Sequence, residues 1–245
     1  MKVLGIESSG MTASVALATE GVVVAEYSTN FKQTHSQTLL PMLDEMCSRV
    51  QWEVGDVDVI AISSGPGSFT GLRIGSATAK GLGLALNKPL VEVPTLEGLG
   101  FNAAGTDRLV CAMMDARRGN VYAGVYEYVM EQGVSGDCCD TVQYVTKVRM
   151  KQELVSVSEL VDRLNGFGEK VLLLGDAVMA SLGLFNDGLK VDWRVAPVQS
   201  LYPRAASVAV LGGFKAAAGG CIGAAQHVPD YLRPSQAERE RNSRA

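Results

Sequence analysis

A chain of 245 residues is long enough for one large domain or two small ones, and 47% hydrophobic against 20% charged residues is the make-up of a soluble globular fold with a sizeable core. The formal net charge of −4 argues against a dedicated nucleic-acid binder, which draws most of its affinity from basic surface set against phosphate. Five cysteines, odd in number and without a Cys-x-x-Cys pair, argue against both a disulfide framework and a zinc site.

In chain order, Val3–Glu7, Thr12–Thr19 and Val22–Thr29 alternate or run apolar around Gly10 and Glu20-Gly21, which reads as a three-strand meander. Glu7 interrupts the first run too early for a signal peptide. Leu39, Leu40, Leu43, Met46, Cys47 and Val50 then recur at helical spacing. Pro41 leaves the start of that helix open: capped by Thr34 or Ser36 it would lie beyond the first turn and kink the helix, capped by Thr38 it would be tolerated. His35 precedes this helix, either bonding the backbone there or making a polar interface contact.

Val57–Ser63 is a buried-type strand, and Ser64-Gly65-Pro66-Gly67-Ser68-Phe69-Thr70-Gly71-Leu72-Arg73-Ile74-Gly75 follows it into a helix ending near Leu86. The glycines permit positive φ, and Ser68 or Thr70 is suited to cap the helix. A strand, a glycine turn and a helix start make a concavity with exposed N–H groups. Gly71, Gly75, Ala79 and Gly83 share one helix face, and three helical glycines cost roughly 3 kcal/mol relative to alanine. Close backbone approach would offset that cost, either to the chain's own sheet or to a helix of another subunit. Ile74, Ala77, Leu84 and Ala85 make the other face apolar too, which favours a partner. Arg73 sits in the first helical turn, where a cation opposes the dipole, so it is either simply exposed or matched to an acidic partner.

Leu90–Val93 reads as a strand and Thr95–Ala104 as a short helix. The second half restarts with strands at Leu109–Asp115, Asn120–Tyr128 and Thr141–Arg149, with a loop over Glu131–Gly136. A helix at Ser156–Asn165 capped by Ser156 or Ser158, a strand at Val171–Leu174, a helix at Ala177–Leu182 and a long helix at Pro203–Ala218 complete it. This α/β order repeats, so two ribonuclease-H-like lobes are expected: 1–104, and 105–202, with 203–233 as a C-terminal helix and strand-like segment returning to the first lobe and 234–245 as a flexible tail. Cys138-Cys139 is poorly placed for a shared disulfide and has no histidine beside it. The apolar stretch Ala205–Phe214 is too short to cross a bilayer. A reduced, cytoplasmic protein without a membrane association fits these features.

With those residues in view, the chain resembles the TsaB (YeaZ) family. The resemblance rests on Ala13-Ser14-Val15-Ala16-Leu17, on His35-Ser36-Gln37 with Leu39-Leu40-Pro41, and on the glycine turn through Gly75. It rests equally on Asp115-Ala116-Arg117-Arg118 with Val121-Tyr122, and on Pro229-Asp230-Tyr231-Leu232-Arg233. It implies two lobes of the actin, sugar-kinase and heat-shock ATPase superfamily facing a cleft. It also implies a non-catalytic subunit of the bacterial machinery that makes threonylcarbamoyladenosine in tRNA.

The implied partners are a TsaD-type catalytic homologue as heterodimer and a TsaE-type P-loop ATPase, with tRNA reached through the complex and a homodimer when alone. The implied interface is the helix pair carrying His35, Leu39, Leu43, Met46, Gly71, Arg73, Gly75, Ala79 and Gly83. Ser8, Ser9, Gly65, Gly67 and Ser68 correspond to a degenerate phosphate loop, and Arg117 faces the cleft or a surface turn. No cofactor and no metal are expected. The catalytic relative's His-x-x-x-His motif stands here as Thr95-Leu96-Glu97-Gly98-Leu99, and the chain has two histidines, His35 and His227, far apart in sequence. Asp58, Asp115 and Asp176 would hold magnesium only with a nucleotide's help. The competing reading is a nucleotide-dependent transferase or kinase-like enzyme of the same superfamily; the histidine count makes a metallopeptidase improbable.

Overall fold

A computed structural model describes residues 1–31, 34–132 and 142–233. The expected loop from residue 133 onward, Cys138-Cys139 and the tail 234–245 with Arg239, Arg241 and Arg244 lie outside the described residues. The first half forms β1 (Lys2–Glu7), β2 (Ala13–Thr19), β3 (Val22–Thr29), α1 (His35–Val50), β4 (Val59–Ser63), α2 (Phe69–Leu86), β5 (Leu90–Val93) and α3 (Thr95–Phe101). The second forms β6 (Leu109–Asp115), β7 (Asn120–Gln132), β8 (Val142–Ser156), α4 (Val157–Phe167), β9 (Val171–Leu174), α5 (Ala177–Ala180), α6 (Leu182–Gly188) and β10 (Trp193–Val195). It closes with α7 (Ala205–Ala217) and β11 (Cys221–Ile222).

The halves repeat one topology. The first sheet runs β11-β5-β4-β1-β2-β3 and the second β10-β9-β6-β7-β8. In each, an antiparallel meander supplies three strands and the next two join parallel to its first strand. The expected α/β class with two ribonuclease-H-like units is therefore the observed one.

Side-chain alternation assigns each face of the first sheet its helices. Leu4, Ile6, Ile60 and Ile62 pack with Leu39, Leu43 and Met46 of α1 and Ala79 of α2. Val3, Val59, Ala61 and Val91 point the other way, onto Val208, Ala209 and Leu211 of α7. Gly5 lies under α7, where a Cβ would approach Ala209 to 2.9 Å, so the helix crosses the strand at backbone distance. α3 joins the sheets: Leu96 and Leu99 pack with Val110, Ala112, Met114, Tyr126 and Tyr128, and the Tyr128 hydroxyl donates to the Glu97 carbonyl at 2.7 Å.

Several expectations change. β8 continues to Ser156, whose side chain caps α4 by accepting the Glu159 N–H at 3.2 Å. The helix expected over Ala177–Leu182 divides into α5 and α6, and the short edge strand β10 was not foreseen. α1 begins after Thr34, so Pro41 lies inside it with its ring exposed, and the Gln37 carbonyl loses the partner four residues on. Among the described residues, no helix is long and apolar enough to cross a membrane.

Candidate functional site

The loops after β1 and β4 meet at the carboxyl edge of adjacent parallel strands, where open α/β sheets place ligands. Gly65 has φ +118, which only glycine adopts without strain, and the Gly65-Pro66 peptide is cis. The turn is tied to α3: the Thr95 N–H donates to the Gly65 carbonyl at 2.8 Å, and the Gly65 N–H to Thr95 Oγ1 at 3.1 Å. Ser68 caps α2, accepting the Gly71 N–H at 3.3 Å.

The two loops bond to each other. The Ser68 N–H donates to the Ser9 carbonyl at 2.6 Å, and the Ser8 hydroxyl donates to the Gly71 carbonyl at 2.9 Å. A Cβ at Gly67 would strike the Ser9 carbonyl, and one at Gly71 the Ser8 carbonyl. Ser8, Ser9 and Gly65 are buried, Gly67 is half-buried and Ser68 is exposed. The glycines here serve loop-to-loop contact within the chain.

Glu7, at the end of β1, is 1% exposed. Its carboxylate accepts the Ser9 N–H at 2.6 Å, the Ser9 hydroxyl at 2.5 Å and the Ser63 hydroxyl. Burial raises its pKa, opposed by these three hydrogen bonds. At the second sheet, the Asp115 N–H donates to Asp176 Oδ1 at 2.9 Å, and burial, with the neighbouring Asp115 charge, raises the Asp176 pKa. Asp58 is elsewhere, accepting the Lys2 N–H at 2.7 Å, so the three carboxylates do not converge.

Thr95 and Leu99 are committed to structure: Thr95 to the glycine turn, and Leu99, fully buried, to the core. Among the described residues, no three His, Cys, Asp or Glu side chains lie close enough to hold a metal ion.

Most of the expected interface set is buried within this chain. Leu39, Leu43 and Met46 are core side chains with at most 3% exposure, and Ala79 has none. A Cβ at Gly75 would collide with Ser8 Oγ, and one at Gly83 would lie 2.6 Å from Leu90. The glycine stripe thus seats α2 on its own sheet and on the β1–β2 loop. His35 is half-buried, its Nε2 3.2 Å from the Thr12 carbonyl. Arg73 alone of the set is exposed, its guanidinium 4.0 Å over the Phe69 ring.

The outward faces of α1 and α2 carry Leu40 at 50% exposure and Leu84 at 63%, with Ala77 and Gly81 exposed between Arg73 and Leu84. Nothing lies within 4 Å of a Cβ built at Gly81. Arg117 and Arg118 form the exposed β6–β7 turn with φ +64 and +59. The Arg117 N–H donates to Asp115 Oδ1 at 2.7 Å. A hollow of about 440 Å³ lies at the opposite end of α2, lined by Gly83, Leu84, Asn87, Lys88, Pro89 and Cys221 among others.

Sequence reasoning did not place Gln152 or the segment around Asp230 at the glycine turn. The quoted Pro229–Arg233 motif was the available signal, and its location is a tertiary fact. Gln152 Nε2 donates to the Gly65 carbonyl at 3.0 Å, and the Asp230 N–H to the Ser64 carbonyl at 2.6 Å.

The family described as tRNA N6-adenosine threonylcarbamoyltransferase, TsaD, matches residues 21–240. A tRNA threonylcarbamoyladenosine biosynthesis protein TsaB from Bacillus subtilis is 32% identical over 243 residues, covering 97% of this chain and 96% of that one. The TsaB protein of Escherichia coli is 35% identical over 130 residues, covering 52% and 55%. Among solved structures, a Pseudomonas aeruginosa protein described as similar to peptidase YeaZ superposes with a TM-score of 0.77 at 26% identity, covering 95% of this chain and 99% of that one. A second, titled YeaZ from the same organism, gives 0.69 at 27%, covering 94% and 99%.

Proposed function

Because this chain belongs to the TsaB (YeaZ) family of tRNA threonylcarbamoyladenosine biosynthesis proteins, it has a part in making that nucleoside, and we propose that the part is non-catalytic: it binds and orders a TsaD-type homologue that performs the transfer. The observation that carries this reading is the state of the cleft. Thr95 and Leu99 occupy the ligand positions of the catalytic relative's motif and are locked into a turn and a core, while the two phosphate-side loops are bonded to each other.

The docking surface in this reading is the outer face of the α1–α2 pair. Leu40 and Leu84 supply exposed apolar area, and Ala77 and Gly81 allow close helix approach. Gly81 is informative because a helical glycine costs about 1 kcal/mol relative to alanine and no contact among the described residues requires it. Arg73, stacked on Phe69, adds the residue types that anchor interfaces. A TsaE-type ATPase and tRNA would join through the assembled pair, and the same face would serve a homodimer of the isolated chain.

The test is gel filtration of this chain mixed with its TsaD-type homologue, together with an assay for modified adenosine. Ala77→Arg and Gly81→Arg are expected to abolish co-elution and modification while leaving the far-ultraviolet circular dichroism unchanged. Co-elution of both variants at wild-type yield would overturn the surface. Tight binding of magnesium-ATP by the isolated chain, read by calorimetry, would instead favour a nucleotide-dependent transferase.

A further inference from the structure

We propose that residues His227–Arg233 are an interlobe strap, a polar clasp that fixes the angle between the two sheets and holds the first turn of α2 in place. The segment begins on the first sheet. His227 is 1% exposed, its Nδ1 lies 2.6 Å from Glu92 Oε1 on β5, and its carbonyl accepts Lys80 Nζ of α2 at 2.9 Å. It then crosses the glycine turn. The Asp230 N–H donates to the Ser64 carbonyl at 2.6 Å, and the Asp230 carbonyl lies so close to Gly65 that a Cβ there would collide with it. The Tyr231 ring packs at a tilt of 42° against Phe69, the first residue of α2, with centroids 4.9 Å apart. It ends on the second sheet, where Arg233 Nη1 donates to the Ala116 carbonyl in the β6–β7 turn at 2.7 Å.

The second sheet reaches back at the same place. Gln152 of β8 donates through Nε2 both to the Gly65 carbonyl, at 3.0 Å, and to Asp230 Oδ2, at 3.2 Å. One amide thus joins the second sheet, the glycine turn and the strap. The two sheets also meet through α3, whose first residue bonds the same glycine turn. This helix buries Leu96 and Leu99 among Val110, Met114, Tyr126 and Tyr128, an apolar contact made at backbone separations set by packing. A largely apolar contact beside a set of discrete hydrogen bonds is the construction of a hinge with a clasp. The clasp is the part that opens at low cost, because its groups regain hydrogen bonds to water on release. Gln152 Oε1, buried without a partner among the described residues, makes the closed state less than fully satisfied.

Hydrogen-exchange mass spectrometry of the full chain tests this. The variants are Gln152→Ala, a chain ending after Val228 and a control ending after Arg233. In Gln152→Ala and in the chain of residues 1–228, amides of Ser64–Leu72 and Ala116–Val121 are expected to exchange at least tenfold faster. Those of β1, β4, β6 and β9 should keep their protection, and the 1–233 chain should match wild type. Unchanged rates at the glycine turn and the β6–β7 turn would overturn the strap. So would equal loss of protection in the core strands, which is the signature of ordinary packing. If the 1–228 chain does not fold, Gln152→Ala decides. No partner protein is present, so the result is independent of whether a TsaD-type homologue binds.

Discussion

Glu7 shows how far one side chain's environment departs from what its identity suggests. A glutamate ending an apolar strand would be expected to face solvent; here it is buried and accepts hydrogen bonds from Ser9 and Ser63. Its pKa is raised, so the folded chain retains this proton to higher pH than the unfolded chain does. Between the ordinary glutamate pKa and the raised one, the folded state binds more protons, and this group's contribution to stability is lost as pH rises through the folded value. Glu7→Gln removes that ionisation. Its stability relative to wild type, taken from urea midpoints between pH 4 and 8, is therefore expected to improve as pH rises. A difference that stays flat over that range would show that Glu7 does not titrate in this window. At the same scale, Cys111 is buried in the second core and its thiol is pushed up to about 12, which makes it an inert packing group.

The helices carry the next lesson. Two glycines of α2 answer to opposite demands: Gly75 faces Ser8 Oγ without room for a methyl group, whereas Gly81 faces open space. Gly75→Ala is expected to destabilise the chain by about 1–3 kcal/mol through overpacking against the β1–β2 loop. Gly81→Ala is expected to stabilise it by about 1 kcal/mol through helix propensity alone. Urea unfolding of the two variants checks the pair, and shifts of like sign would sink the assignment of the stripe to intrachain packing. Periodicity made the stripe legible as a face of close approach. It left open which neighbour approaches, because own sheet and foreign helix demand the same small residues.

For the molecule as a whole, the question is whether two topologically equal halves behave as one. α3 belongs to the first half in sequence and packs into the second, and α7 returns to cover the first sheet. The buried Tyr128 hydroxyl, bonded to the Glu97 carbonyl at 2.7 Å, ties α3 to β7. Tyr128→Phe is expected to cost about 1 kcal/mol, the net worth of one such bond. Because α3 is shared, circular dichroism and tryptophan fluorescence should shift to the same lower midpoint. Separate midpoints for the two probes would mean that the halves unfold independently.

Strand and helix order, the duplicated α/β topology, the glycine turn and the pairs of cap candidates from which Ser68 and Ser156 are the ones used were readable along the chain, because each rests on local periodicity or on a backbone preference carried by neighbouring residues. The lengths of β8 and of the α5–α6 region were not, since tertiary pairing extends or divides what local pattern only outlines. Tertiary structure alone decided that Leu39, Leu43, Met46 and the glycine stripe face inward, and that Gln152 and Asp230, 78 positions apart, meet at Gly65. Contacts of that range depend on how two sheets are set against each other, and no spacing within one element encodes that angle.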